Sequence, residues 1–209
     1  MVNAMSIKNI AVFMITLLTL SANTVLAEID PWAESYRLES IYQYDAALKA
    51  LDVAANKGHN NELLSLRRGW LHYLTGNHSK AIEHYKKAIS ENGQSLEARL
   101  GMTLPLMAQQ RWREAMLEAK KVLEVAPWNY YAHVRLMTCE YALKDWTSLE
   151  KHAQQVAARF PTDTTVLVYL ARARHHLGNA DGAVAVYQKV LQLSPDHFEA
   201  GQYVARNIP

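Results

Sequence analysis

The sequence is poor in cysteine, proline and glycine, and each shortage excludes something. Cys139 is the one thiol in 209 residues, so an internal disulfide has no partner and a zinc site built on paired Cys has no ligands. A lone thiol is buried, reactive or paired with another chain; its apolar stretch beside Ala142 and Leu143 favours burial. Only 8 Gly and 6 Pro occur, and no low-complexity tract, which argues against disorder and against an all-β fold full of tight turns. Charge is also nearly absent in net terms. With 22 Lys and Arg against 20 Asp and Glu there is no electrostatic footprint for nucleic acid. The basic pairs Arg67-Arg68 and Lys86-Lys87 read as solvated helix faces.

Enzyme motifs are missing too. There is no Gly-rich phosphate loop, no His-Glu-x-x-His and no identifiable nucleophile–base pair, so catalysis, a cofactor and a metal are not expected. His175 and His176 are neighbours that point about 100° apart on a helix and make a poor chelating pair. His72, His78 and His84 fall on different helices or faces and suggest no site.

What the sequence does have is apolar residues and helix formers. Half of it is hydrophobic, and Ala, Leu, Glu, Lys, Gln and Arg are plentiful. The N-terminal stretch, 1–27, stands apart. Lys8 precedes an apolar run from Ile10 to Leu20, and Val25-Leu26-Ala27 offers a cleavage site with small residues at both ends. This pattern predicts a bacterial secretory signal, too short for a stable membrane span. The expected mature product, from about Glu28, is periplasmic or secreted and carries no membrane span. Loss of Lys8 leaves 21 basic residues against 20 acidic, a net charge of +1.

The remainder is periodic. Pro127, Pro161 and Pro195 recur with a 34-residue step. Ala47, Ala81, Ala115, Leu149 and Ala183 keep the same step, as do Leu51, Tyr85, Ala119, Ala153 and Tyr187, and Ala54, Ala88, Val122, Val156 and Val190. Within each unit these positions are three or four residues apart, so they share one helical face. The prolines stop a helix and restrict the residue before them. Asp30-Pro31 reads as an N-cap with Pro in the first turn.

These residues resemble the tetratricopeptide repeat family, a 34-residue helix-turn-helix unit. The second unit matches through Gly69, Gly76, Ala81, Tyr85 and Ala88; the fifth through Leu170, Ala171, Gly178, Ala183, Tyr187 and Pro195. The third and fourth match through Trp112, Ala115 and Pro127 and through Leu136, Trp146 and Pro161; the first through Tyr44, Ala47 and Ala54. Leu149 departs from the small residue, Ala119 and Ala153 from the aromatic, and Pro105 lies inside a first helix near Gly101. The resemblance implies an all-α fold: a right-handed α-solenoid of about five repeats (28–61, 62–95, 96–129, 130–163 and 164–197) and a capping helix over 198–206. Phe198 and Tyr203 are expected to dock inward from that cap. The polar first helix, with Glu34, Arg37, Glu39 and Ser40, is expected to close the other end.

In that family the first helix of each unit lines a concave groove. The 34-residue step then aligns Tyr36, Trp70, Leu104, Thr138 and Arg172 in one row, and Glu39, Tyr73, Met107, Tyr141 and His175 in the next. Trp32 and Tyr131 lie near opening turns; Arg67 and Arg135 sit at the side. The candidate partner-binding residues are Trp32, Tyr36, Trp70, Tyr73, Met107, Tyr131, Arg135, Tyr141, Arg172 and His175. Trp, Tyr and Arg are the residues enriched at binding hot spots. Neither row has the Lys and Asn with which some relatives hold a peptide's terminal carboxylate, so that activity is not carried over. In Trp128-Asn129-Tyr130-Tyr131 the aromatics are expected to wedge two units together. The leading expectation is a non-catalytic scaffold of the cell envelope that binds a protein or peptide. A carbohydrate-binding module and a structural subunit that self-associates through its ends are the alternatives.

Overall fold

The computed structural model describes residues 30–56, 58 and 61–207. The secretory signal expected over residues 1–27 lies outside the described residues. Among these, eleven helices and no strand occur: α1 (Pro31–Ser40), α2 (Tyr44–Asn56), α3 (Glu62–Leu74), α4 (His78–Glu91), α5 (Leu96–Ala108), α6 (Trp112–Val125), α7 (Tyr130–Ala142), α8 (Trp146–Arg159), α9 (Thr164–His176), α10 (Ala180–Leu193) and α11 (Phe198–Asn207). The starts of α3, α5, α7, α9 and α11 follow the 34-residue step, and so do those of α2, α4, α6, α8 and α10. The molecule is an all-α solenoid of tandem helix pairs.

All fifteen positions of the three periodic rows are buried, most of them completely. Small Ala there lets neighbouring helices approach closely, and no unit could cover these faces alone. The helices start where side chains cap them. Asn61, Ser95, Asn129 and Asp163 each accept the backbone N–H three residues on, at 2.9–3.2 Å. Asp30 caps α1 in the same way, with Pro31 in the first turn. The turn inside each pair is equally regular. Tyr42, Gly76, Gln110, Lys144 and Gly178, spaced by the same step, all have φ between 58° and 80°. Only two of these five are Gly, the residue that adopts this region freely.

One residue that keeps the family pattern and one that departs from it have structural answers. Tyr85 is buried between α3 and α5 because Gly69 and Gly101 leave it room: a Cβ on them would stand 3.0 Å and 2.5 Å from its ring. Leu149 replaces Ala where α8 meets α7, and these two helices form the sparsest pairing of the five. A polar chain also runs between them. Pro127 O is 2.9 Å from His133 Nε2, His133 Nδ1 is 2.9 Å from His152 Nε2, and His152 Nδ1 is 2.9 Å from Glu140 Oε2. The core divides at α7: Cys139 joins the cluster of Ala81, Tyr85 and Leu106, while Met137 joins that of Leu149, Leu170 and Tyr187. Cys139 is fully buried, and burial pushes its thiol up to about 12, so the inert reading of this residue holds.

The C-terminal cap differs from the sequence expectation. Tyr203 packs on Tyr187, with ring centroids 4.7 Å apart, but Phe198 is 76% exposed. Phe198 opens α11, where Ala200 rather than Phe198 takes the inward direction. In Trp128-Asn129-Tyr130-Tyr131 the contact across the two units is made by Trp128, 5.7 Å from the His133 ring and 5.9 Å from the Arg159 guanidinium, whereas Tyr130 meets Phe160 of its own unit edge-on at 5.8 Å. Trp128 and Tyr131 are exposed.

Candidate functional site

Helices α3, α5, α7 and α9 touch in succession, which brings the two rows of the groove onto adjoining helices. At the N-terminal end the groove is a polar network centred on Arg67, whose buried Nη2 has no hydrogen-bond partner. Arg67 Nε donates to Ser35 Oγ at 3.2 Å, its Nη1 pairs with Glu39, and its guanidinium lies 3.8 Å from the Tyr36 ring centroid. Glu39 also accepts the indole N–H of Trp70 at 2.8 Å, and Trp70 stands 5.7 Å from Tyr73. This corrects two expectations. Arg67 is no solvated face but is 6% exposed, its charge met by a carboxylate and an aromatic face. Glu39 is not part of a polar outer surface; it ties α1 to α3.

In the middle, Tyr73 and Met107 are partly buried and pack against the core cluster of Tyr85 and Leu106. Trp32 does the same at the first unit, against the cluster of Leu38 and Leu51. Tyr36 and Tyr131 are exposed, at 54% and 62%. Arg135 is half-buried, and its Nε has no hydrogen-bond partner.

The C-terminal end gathers a second cluster around Arg172. Thr138 Oγ1 and Tyr169 Oη are 2.8 Å apart, and Tyr141 meets Tyr169 and Trp146 edge-on at 6.2 and 5.4 Å. The Arg172 guanidinium lies 5.2 Å from the Tyr141 centroid and 5.8 Å from that of Tyr169. It grips Glu199 of α11 with both arms: Nε to Oε1 at 2.8 Å and Nη2 to Oε2 at 2.5 Å. Tyr187 donates its hydroxyl to Oε1 of the same carboxylate at 2.6 Å. His175 Nδ1 is 3.1 Å from the Tyr203 hydroxyl. These groups border an open cavity of about 640 Å³ that Arg206 and Gln202 complete. Burial raises the Glu199 carboxyl, but the bonds from Arg172 and Tyr187 outweigh it and the net shift is downward. Those same contacts push Arg172 up, its bond to Glu199 foremost.

The structure thus brings Tyr141, Arg172 and His175 together in one cavity, and Tyr36, Trp70 and Tyr73 in another stretch of the same face. Sequence reasoning missed Tyr169, Tyr203 and Arg206. The signal was present: Tyr169 and Tyr203 continue the row of Arg67 and Arg135, and Arg206 lies one full repeat beyond Arg172. Helix α11 acts as the first helix of a further unit as well as a lid. Of the three spaced histidines, two meet although they are on different helices. His72 and His84, on α3 and α4, stack with centroids 5.1 Å apart and planes 10° apart. Packing of the two helices brings their faces together. Burial, first of all, lowers both, His84 to about 4.

The tetratricopeptide repeat family model matches residues 42–95 and 150–198, the two ends of this helix array. The chain is a tetratricopeptide repeat protein. Solved structures of other tetratricopeptide repeat (TPR) proteins share its fold. A thermophilic TPR protein of Thermus thermophilus is 19% identical, with 87% of this chain and 99% of that chain covered and a TM-score of 0.60. A TPR protein of Parabacteroides merdae is 15% identical over 85% of this chain and 70% of that one, with a TM-score of 0.75. YrrB, a TPR protein with an unusual peptide-binding site, is 14% identical over 86% and 92%, with a TM-score of 0.70. At such identities the likeness is one of fold. TPR proteins are in general non-catalytic scaffolds that bind protein or peptide partners. Among the described residues no helix is long and apolar enough to cross a membrane.

Proposed function

We propose that this TPR protein is a non-catalytic scaffold of the bacterial cell envelope that binds an extended peptide segment of a partner along the inner face of α3, α5, α7, α9 and α11. The observation that carries this reading is the open cavity at the end of that face. It combines Tyr rings, which offer large stiff contact area, with Arg and His groups that hydrogen-bond and orient a backbone. YrrB, similar in fold, has a peptide-binding site, which supports the same use of the scaffold here. Export rests on the basic, apolar and small-residue pattern of residues 1–27.

The test has two parts. The chain produced with its own N-terminus in a bacterium is fractionated and its mass measured; a periplasmic product about 27 residues shorter is expected. The mature form is then probed with an unbiased peptide array and a glycan array. Peptide binding that Tyr141→Ala abolishes supports the proposal. Binding to glycans alone, which the exposed Phe198 ring beside Gln202 and Arg206 would favour, overturns it.

A further inference from the structure

Arg172 belongs to the row of groove residues and borders the cavity, yet its guanidinium already has a partner. It is engaged by a carboxylate from its own chain, 27 residues further on. The surroundings resemble a receptor for such a group. Two parallel bonds from the guanidinium fork and a third from the Tyr187 hydroxyl converge on one carboxylate. Tyr141 and Tyr169 lie against the guanidinium and fix its direction. A fork of this kind is the arrangement that selects carboxylates by shape as well as charge.

The helix that supplies Glu199 is the last of the array. Of its ten residues only Ala200 is fully buried, and its main packing is against α10 alone. Phe198 beside Glu199 is exposed, while Tyr203 and Val204 rest against the core cluster of Leu170 and Tyr187. The adjoining cavity holds Arg206, His175 and His176 near the pair. Glu199 is the one acidic residue on that lining, and Arg172 already neutralises it. An arriving carboxylate therefore meets the charge of Arg206 and a docked rival that it can replace atom for atom.

We propose that this end of the groove recognises a carboxylate of an acidic peptide partner, and that Glu199 of α11 occupies its place on Arg172 until the peptide displaces it. The proposal rests on the peptide-binding reading given above. Because Glu199 is tethered, it competes at high local concentration, and the apparent affinity for peptide is lowered by the fraction of molecules in which the site is filled.

The test uses dye-labelled peptides, acetylated and amidated so that only side chains differ. One alternates Glu with Ala; the other has Gln for every Glu. Fluorescence anisotropy is measured with the parent chain, Glu199→Gln, Arg172→Gln and Arg172→Lys, and hydrogen exchange of residues 198–207 is followed with and without peptide. The parent is expected to favour the Glu peptide over the Gln peptide. Glu199→Gln is expected to bind the Glu peptide about tenfold more tightly, as the filled fraction falls. Arg172→Gln should lose the preference, and Arg172→Lys should keep part of it. Added Glu peptide should speed exchange in α11. If Glu199→Gln unfolds α11, the site is opened all the same and tighter binding is still required. Unchanged or weaker binding by Glu199→Gln, or equal binding of the two peptides, overturns the proposal. If neither acidic peptide nor variant binds while the array yields other groove-binding peptides, the carboxylate inference falls and the peptide reading stands. An array without binders removes both.

Discussion

The ring of Tyr85 fills the space in which a side chain at Gly101 would begin, 2.5 Å from where that Cβ would stand. Tyr85 and Gly101 are on consecutive units, so one close approach ties the second unit to the third. Gly101→Ala is expected to destabilise the fold by about 1–3 kcal/mol, the usual cost of overpacking a filled core. Gly201→Ala, within α11 and with open space around its Cβ, should instead stabilise by roughly 0.5–1 kcal/mol through helix propensity. Urea denaturation of both variants checks the pair. Equal effects would show that packing at Tyr85 is not the constraint.

The intra-repeat turns make an independent prediction. Gln110 and Lys144 hold φ of 58° without being Gly. The left-handed region costs about 1–2 kcal/mol for such residues, whereas Gly costs about 0.5–1 kcal/mol in unfolded-state entropy. The first term wins, so Gln110→Gly and Lys144→Gly should each raise stability by about 0.5 kcal/mol. Gly76→Ala and Gly178→Ala should each lower it by about 1 kcal/mol. Thermal melts of the four variants would decide.

Acid should weaken the molecule in two stages. His84 has its folded value lowered to about 4, so the unfolded chain binds more protons below the ordinary histidine value near 6.5. Stability from the half-buried neutral stack with His72 is therefore full above about 6.5 and drains away as pH falls toward 4. The charged groups facing the pair are Arg68, Lys80, Lys87, Asp45 and Glu83. Glu199, whose folded value is also lowered, contributes above the ordinary carboxyl range and loses its contribution as pH falls through its own lowered value. His84→Phe should flatten the first stage of a pH series of melts. Glu199→Gln should flatten only the second.

At the other end of the groove, Trp70→Ala is expected to weaken partner binding by about 2 kcal/mol or more, and Lys86→Ala to leave it unchanged. The ring is half-buried and its N–H is taken by Glu39, so stability has to be measured alongside. Trp70→Phe keeps most of the ring and forfeits the bond to Glu39. A loss of stability without a loss of affinity per folded molecule would assign Trp70 to the scaffold.

The fold was legible because its determinants recur at a constant step. Ala47, Ala81, Ala115 and Ala183 report the closest helix contacts, and each is fully buried. The capping residues Asn61, Ser95, Asn129 and Asp163 carried the same period and mark the helix starts directly. The groove was legible as rows of residues but not as a set of bonds. Arg172 was placed by the repeat, whereas Glu199 reaches it from 27 residues away, off the step. Arg67, Glu39 and Trp70 were read as separate surface residues because a one-dimensional period does not show which charges meet across two helices. The same is true of His72 and His84, whose stacking depends on how α3 and α4 pack.

The sparse pairing of α7 and α8 has a mechanical meaning. Units that touch mainly their neighbours deform like springs in series, and a load applied to the two ends extends the softest spring first. In the fourth unit the backbones of α7 and α8 approach at the fewest points, Leu149 standing where other units have Ala, and the His133–His152–Glu140 chain joins the two helices there. A ligand that pulls α11 inward would bend the rod there, turning the C-terminal cavity toward or away from the Tyr36–Trp70 end while both blocks keep their shape.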